Sequence, residues 1–468
     1  PYTTLFRSTE NSACWRACSL DTPGRTIGER KMPCFVPGDE SIRLFAVRDP
    51  VWKHIRLTQE FLDITRTEPF MRLYRIRQLG PTEYVYPGAT HTRASHSFGV
   101  YAAARKLLET LCEQGASEWI TPKGARSFLA AALLHDLGHF PFTHSLKELP
   151  LEDHETLTAK LVVCEPLRTL IAQAGADPDM SASIIDPSGA YGSQAASVPD
   201  QETVFFRNLL SGVLDPDKLD YLNRDAYFCG VPYGIQDIDF ILSQVHPDPE
   251  KGIVLDSRGI LSVENILFSK YLMYRSVYWH RQVRIATAMM KKTLHAALSA
   301  SIISPEELYP LDDTSLYSLI DSRSFPEQVL ARDIRMRSFY RVVGEFRPGF
   351  DELAATELEH LAVRTEIENR LAEAFTLWTG VRFTAVDVLL DIPERISFES
   401  DLYISDEKRI FTASSTVFSE SVISRFTESL RILRVAVNPQ KADALERTAD
   451  LPEKLAKCIG LYYTEMQD

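Results

Sequence analysis

Residues 128–146 read FLAAALLHDLGHFPFTHSL. The first seven positions, Phe128–Leu134, are apolar without a break, and alanine and leucine favour the helix. The run is too short to span a membrane and too uniform for a solvent face, so it predicts a buried helix. That helix runs into His135 and Asp136, and Gly138 follows at its end. Neighbouring helical side chains point about 100° apart, so an ion sitting at the end of the helix can take both. Imidazole nitrogen beside carboxylate oxygen suits iron, manganese, zinc or a similar divalent ion. Taken alone, a His–Asp dipeptide is a weak signal.

Outward from this stretch the histidines gather. The chain holds eleven, and six of them lie between 91 and 154: His91, His96, His135, His139, His144 and His154. A single one reads as a hydrogen-bonded structural histidine, but six with an acid invite a metal. His96 sits early in a helix expected from Thr92. In LDPDKLDYLNRDAYF (214–228), Asp215 is a candidate N-cap and Pro216 a first-turn residue. That places Asp217 in the first turn, with Tyr221 and Asp225 four and eight residues on along one face. Taken alone, Asp217 reads as a carboxylate favoured by the helix macrodipole. A helix expected over 265–292 carries Lys270, Arg275, Arg281, Arg284, Lys291 and Lys292 with no acid among them. Lys270, Tyr274, Tyr278 and Arg281 fall near one face, which reads as a solvated basic face or as cations beside rings for a phosphate and a base.

The 468 residues suffice for two or three domains. Residues 1–42 lack periodicity and are read as an N-terminal extension that need not be native. Residues 43–300 form the core and 301–468 a C-terminal helical and α/β lobe. Residues 173–202, rich in Gly, Ala, Ser, Asp and Pro, read as a surface loop. Helical patterning resumes at Thr203 and runs to about Ser301. Short β-like runs follow at Val386–Ile392, Leu402–Ile404, Ile410–Thr412 and Ile432–Val437. The fold class is mostly α, a helical core with a smaller C-terminal α/β lobe. A net charge of −13 argues against a coat on a nucleic-acid polymer, while a small anionic substrate remains compatible. No apolar run of membrane-spanning length and no signal-peptide pattern occurs, so no membrane partner is expected. Seven scattered cysteines fit reduced thiols in a cytoplasmic protein. Cys14 and Cys18 could begin a zinc site, but no second pair follows at a suitable spacing.

The order His96, His135–Asp136, Asp217 resembles that of the HD-domain phosphohydrolases. The closer resemblance is to their deoxynucleoside triphosphate triphosphohydrolase branch. It rests on FMRLYRIRQLG (70–80), VYPGATHTRASHSFGV (85–100), HDLGHFPFTHSL (135–146) and LDPDKLDYLNRDAYFCGVPYG (214–234), with YRSVYWHRQVR (274–284) as a weaker fifth. The HD-GYP signature of cyclic dinucleotide hydrolases is not present. The resemblance implies one divalent ion (manganese, iron, zinc, nickel or magnesium) held by His96, His135, Asp136 and Asp217. It gives Arg93 to the α-phosphate and His139 and His154 to proton handling at the scissile phosphate. Lys218, Tyr221, Asp225 and His144 would line the phosphate and sugar site. Gln78 and Leu79 would touch the sugar, Tyr278 would fill the place of a ribose 2′-hydroxyl, and Lys270 would meet the outer phosphates. Deoxynucleoside and tripolyphosphate would be the products, and the chains would assemble as dimers or tetramers.

Two departures from the family pattern bear on this. Phe140 stands where many members have Gly, and Lys147 where they have an acid that orients the catalytic histidine. Glu148 or Glu155 could take that acid's place. Met71 and Tyr74 stand where regulated members hold a guanine, so guanine activation is not expected. Two other readings remain. One is an HD phosphohydrolase for a monophosphate or a signalling nucleotide. The other is a nucleotide-sensing module of low turnover, for which Lys147 and Phe140 would speak.

Overall fold

The structure, a computed structural model, describes residues 44–189, 200–347 and 357–460, except 397 and 399. Residues 1–43, with Cys14, Cys18 and the N-terminal extension, lie outside these, as do residues 190–199 of the expected 173–202 loop.

The molecule is mostly helical, with small sheets. A hairpin of β1 (Phe45–Asp49) and β2 (Lys53–Leu57) opens the described chain. Helix α1 (Glu68–Leu73) follows, and then the three helices that build the centre. These are α2 (Arg93–Glu113), α3 (Pro122–Leu134) and, later in the chain, α6 (Pro216–Cys229). Between them lie α4 (His154–Val162) and α5 (Pro178–Ile185).

Each of the three central helices starts on a side-chain cap. Thr92 accepts from the Ser95 amide, Thr121 from Gly124 and Asp215 from Lys218. Such caps satisfy amides that the first turn leaves unpaired, each worth about 1 kcal/mol. The whole Phe128–Leu134 run is buried, as the uninterrupted apolar pattern requires. Helix α2 packs against both α3 and α6. The sandwich brings the start of α2, the end of α3 and the start of α6 to one place. At Gly99 on α2, a Cβ would overlap the Asp220 carboxylate of α6, so only glycine allows this approach.

The helix expected over 265–292 is interrupted. Helix α7 (Ile260–Met273) passes into a π turn over Tyr274–Tyr278, and α8 (Arg281–Ser299) starts afresh with His280 as its cap. Ring packing accompanies the widened turn: Tyr274 meets Tyr278 and Trp279 edge-to-face, with 5.1 Å between centroids in each pair. The cations of this stretch do not form one solvated face: Arg275 and Arg281 are exposed, whereas Lys270, Arg284 and Lys291 are buried. The partners of Arg284 and Lys291, namely Asp391, Glu394 and Glu148, come from elsewhere in the chain. Arg281 lies 3.4 Å from Glu345.

The loop reading of 173–202 also needs correction, because α5 lies within it. Asp177 caps α5 through the amides of Asp179 and Met180, and Pro178 opens it. The helical stretch expected from Thr203 to Ser301 is broken by β3 (Val245–Asp248) and β4 (Gly252–Leu255).

Strand β4 pairs in parallel with β7 (Tyr403–Ile404), which pairs with β8 (Arg409–Ile410). A second sheet has the order β5 (Arg341–Phe346), β9 (Leu433–Val437), β6 (Val388–Asp391), antiparallel throughout. Its central strand is wholly buried against α9 (Leu361–Thr379) and its neighbours. The strands expected at 386–392, 402–404 and 432–437 are thus present within a residue or two at their ends, whereas of 410–412 only Ile410 is in a strand and Phe411–Ala413 form a short 3-10 turn. Among the described residues, no helix is long and apolar enough to cross a membrane.

Candidate metal and nucleotide site

His96 projects from the first turn of α2. Its Nδ1 lies 2.8 Å from Asp220 Oδ2 and its Nε2 lies 3.0 Å from Asp217 Oδ1. His135 follows the last residue of α3, and its Nδ1 is 3.0 Å from the Ala132 carbonyl. A carbonyl can only accept, so Nδ1 carries the proton and Nε2 offers its lone pair. That Nε2 is buried and has no hydrogen-bond partner. It lies 3.8 Å from Asp217 Oδ1 and 3.4 Å from Asp136 Oδ1. Asp136 Oδ2 is 3.8 Å from His96 Nε2. The four side chains expected from the sequence are therefore neighbours around one point, although His96 and Asp217 lie more than a hundred residues apart. An orphaned imidazole nitrogen facing two carboxylates fits a divalent cation.

The electrostatics agree. Burial alone would lower the His96 pKa, but Asp217 and Asp220, one near each ring nitrogen, outweigh it and raise it to about 10. Burial would raise Asp136, yet the imidazoles of His139 and His135 and the Arg93 guanidinium hold it well below the usual carboxylate range. The pocket thus favours positive charge.

Asp220 escaped the sequence reading. It holds His96 Nδ1 and also receives Trp52 Nε1 at 2.6 Å and two Arg224 nitrogens at 2.8 and 2.9 Å. Arg224 donates onward to Asp49 of the hairpin at 2.8 Å. A carboxylate behind a metal-facing imidazole sets its tautomer and orientation. Arg72 was also missed. It is buried and donates to the carbonyls of His139 at 2.6 Å and Leu137 at 2.7 Å, bracing the HDLGH turn from α1. A polar residue inside the apolar run FMRL was the available signal for it.

Gly138 lets α4 come close. A Cβ there would stand 2.6 Å from the Thr158 amide and 2.8 Å from Leu157 Cβ, besides overlapping the His154 carbonyl. The approach sets His154 against His139 (ring centroids 3.9 Å apart) and near His144 (5.1 Å). Burial keeps His139 and His154 well below the usual imidazole pKa, so both are neutral near pH 7. Glu155 Oε2 lies 3.0 Å from His154 Nδ1, whereas Glu148 is taken up by Lys291 and Arg364. Of the two acids weighed for the orienting place, Glu155 is the one beside a histidine of this cluster. Lys147 caps the short turn Thr143–Leu146. Phe140 is buried in the second core beside Tyr309.

The remaining expected residues fall in two groups. Near the metal set, Arg93 donates to Asp136 Oδ2 at 2.7 Å, and its Nε is buried without a partner. Gln78 is joined to the His91 carbonyl through its amide, and its buried Oε1 has no partner. Leu79 is half-buried beside it. Asp225 receives Tyr278 Oη at 2.7 Å and lies 2.8 Å from His91 Nε2, and Tyr221 stands 6.5 Å from the Tyr278 ring. The two lysines are engaged elsewhere. Lys218 donates to Asp215 at 2.6 Å and to the Gly212 carbonyl at 3.0 Å. Lys270 is buried, with its ammonium 5.1 Å from the Phe398 ring centre.

Comparison with known proteins agrees with this geometry. The family model of the HD domain matches residues 93–177, and that of the HD associated region matches residues 237–420. The chain belongs to the HD-domain phosphohydrolase superfamily. Within it, the chain is similar to relatives named as deoxynucleoside triphosphate triphosphohydrolases. A relative named deoxynucleoside triphosphate triphosphohydrolase SAMHD1 homolog, from Dictyostelium discoideum, is 27% identical over 66% of this chain and 61% of its own length. The uncharacterized protein YwfO of Bacillus subtilis is 36% identical over 53% of this chain and 55% of its own length. The chain thus spans between half and two thirds of these relatives. Among solved structures, a hypothetical protein from Aquifex aeolicus superposes with a TM-score of 0.66 at 26% identity, covering 86% of this chain and 98% of that one. The HD match begins at Arg93, the first residue of α2, so it takes in His96 and the HDLGH turn, while Asp217 falls outside both matched regions.

Proposed function

We propose that this HD-superfamily chain hydrolyses deoxynucleoside triphosphates at the α-phosphorus, releasing deoxynucleoside and tripolyphosphate. The observation that carries the reading is the meeting of two groups: the His96, His135, Asp136, Asp217 set and, joined to it where His139 Nδ1 lies 3.3 Å from Asp136 Oδ1, the neutral imidazoles of His139 and His154. A divalent ion held by the first group, be it manganese, iron, zinc, nickel or magnesium, would supply Lewis acidity, acidifying a water and drawing charge from a phosphoryl oxygen. Arg93 lies against this set with its Nε unpartnered and would hold an α-phosphate oxygen. His139 and His154, kept neutral by burial, would take the proton of the attacking water and return it to the leaving deoxynucleoside oxygen, a role worth roughly 10²–10⁴-fold. The Tyr278 hydroxyl, fastened to Asp225, would occupy the space of a ribose 2′-hydroxyl, and Gln78 and Leu79 would complete the sugar contact. Met71 and Tyr74, both exposed, offer no guanine-specific donors, so the reaction would proceed without a guanine nucleotide. Assembly into dimers or tetramers and a cytoplasmic location belong to the same reading.

A second reading, a nucleotide-sensing module of low turnover or a hydrolase of shorter phosphate chains, draws on one observation. Lys218 and Lys270 are held by Asp215 and Phe398, and a triphosphate would have to draw them away. Incubation of a nucleotide panel with manganese, followed by chromatography and phosphorus NMR, decides between the two. Tripolyphosphate from a deoxynucleotide, formed faster than from its ribonucleotide, is the expected result. Pyrophosphate or orthophosphate would move the site of cleavage, and bound metal without turnover would favour the sensing module.

A further inference from the structure

Three imidazoles lie beside the His96, His135, Asp136, Asp217 set without belonging to it. His139 Nε2 and His144 Nε2 stand 3.0 Å apart. His139, His144 and His154 each offer one nitrogen within 4.8 Å of the other two. Zinc bonds imidazole nitrogen at about 2.0–2.1 Å in a tetrahedron, which sets such nitrogens about 3.4 Å apart. The His139 and His154 rings, with centroids 3.9 Å apart, would have to move apart to take up that spacing around an ion. A hydrogen bond between His139 and His144 would account for their contact, but not for the third ring or for what stands behind two of the rings. Glu155 Oε2 lies 3.0 Å from His154 Nδ1, and Asp136 Oδ1 lies 3.3 Å from His139 Nδ1. A carboxylate near Nδ1 favours a proton there and a lone pair on Nε2, the arrangement that recurs behind metal-binding histidines, although His139 Nδ1 stands close to Asp136 without a hydrogen bond to it. His144 is exposed, which gives an ion a path from solvent.

We infer that His139, His144 and His154 form a second metal site, built for zinc or a similarly borderline-soft divalent ion, and that its occupation silences the chain. All three donors are nitrogen, which suits zinc and does not suit magnesium or calcium. The fourth tetrahedral position stays open to water. The silencing rests on the proposed reaction, because an ion here takes the lone pairs that the reaction needs for its proton. The site itself does not rest on that reaction.

Zinc stoichiometry tests the two parts separately. Metal-stripped protein is titrated with zinc alone, desalted and analysed for zinc per chain. Two equivalents are expected in the wild-type protein and one each in His144→Gln, His154→Gln and Asp217→Ala. Retention of both equivalents in His144→Gln and His154→Gln, or a single wild-type equivalent lost in Asp217→Ala, would overturn the second site. An equivalent lost in His154→Gln but none in Asp217→Ala would keep this site and overturn the neighbouring one. Cobalt guards against misfolded variants: its visible absorption in a tetrahedral nitrogen site should persist in Asp217→Ala and vanish in the exposed-site variant His144→Gln at an unchanged melting temperature. Where hydrolysis is measurable, the second zinc equivalent should lower it by about 10²-fold or more. Full rate with both sites filled would overturn the silencing.

Discussion

Single atoms decide whether this site can form. Gly138 is the sharpest case. The Thr158 amide and Leu157 Cβ stand where its Cβ would go, and the Gly138 amide donates to Thr158 Oγ1 at 2.7 Å. Gly138→Ala must therefore push α4 away from the HDLGH turn. We expect a loss of about 1–3 kcal/mol, as in other overpacked sites, with displacement of His154 from His139. Chemical denaturation would measure the first and activity the second. Wild-type stability and rate in this variant would show that α4 has slack. His154→Ala poses the complementary question, since it removes a proton carrier and leaves His96, His135, Asp136 and Asp217 untouched. Activity should fall roughly 10²–10⁴-fold while one divalent ion per chain is retained at that set, as elemental analysis would show. Asp217→Ala and His135→Ala should do the reverse and lose that ion. If both kept wild-type metal content, the ligand assignment would be wrong.

At the scale of elements, the docking of α6 against α2 holds His96 in place. Asp220 sits between His96, Arg224 and Trp52 in a wholly buried position. Asp220→Asn keeps the shape and removes the charge. It leaves a buried guanidinium with Asp49 as its remaining acid, and breaking such a pair costs about 3–5 kcal/mol. Metal affinity should also fall about 10–100-fold, since the imidazole loses its orienting carboxylate. A calorimetric zinc or manganese titration with unchanged affinity would mean that α2 alone orients His96. The sequence could not reveal this brace, because Asp220 and His96 are 124 residues apart and the helix periodicity of 214–229 places Asp220 merely on the buried side. What was legible is what local chemistry marks: the apolar Phe128–Leu134 run, the Asp215–Pro216 start of α6, and the His, His–Asp, Asp order. Asp177–Pro178 carries the same start signal as α6, yet the surrounding small and polar residues masked the short α5. The π turn at Tyr274–Tyr278 left no mark, because apolar and aromatic spacing does not distinguish an i to i−5 bond from an i to i−4 bond. Four-residue strands such as β3 and β4 are too short to show alternation.

At the scale of the molecule, buried ions near α8 tie the second hydrophobic cluster to the C-terminal lobe that holds the third. Arg284 and Lys291 project from α8; Arg284 reaches acids of the C-terminal lobe, and Lys291 reaches one of these and Glu148 in the loop after the HDLGH turn. Arg284 lies 2.6 Å from Asp391 and 3.0 Å from Glu394, and Lys291 lies 2.8 Å from Glu148 and 3.7 Å from Glu394. Burial would raise the Glu394 carboxyl, but Arg284 and Lys291 outweigh it and hold it at about 2. Its unfolded pKa is about 4.3, so the folded value is the depressed one. A depressed carboxylate contributes stability that is fully present above the unfolded pKa and is lost as pH falls through the folded pKa. The window therefore runs from about pH 4.5 down to about pH 2. A shift of this size corresponds to about 3 kcal/mol, and with a quarter of the side chain open to solvent roughly 1–2 kcal/mol of it should survive screening. Glu394→Gln removes the titrating group while keeping its size. The variant should be less stable than the wild type at pH 7, and the gap should narrow steadily between pH 4.5 and pH 2.5 as the wild-type carboxylate takes up its proton. Urea midpoints measured across that range would show it. A gap that stays constant down to pH 2.5 would mean that Glu394 is held by shape and not by charge. The α8 ion network would then be a packing contact between lobes, not an electrostatic one.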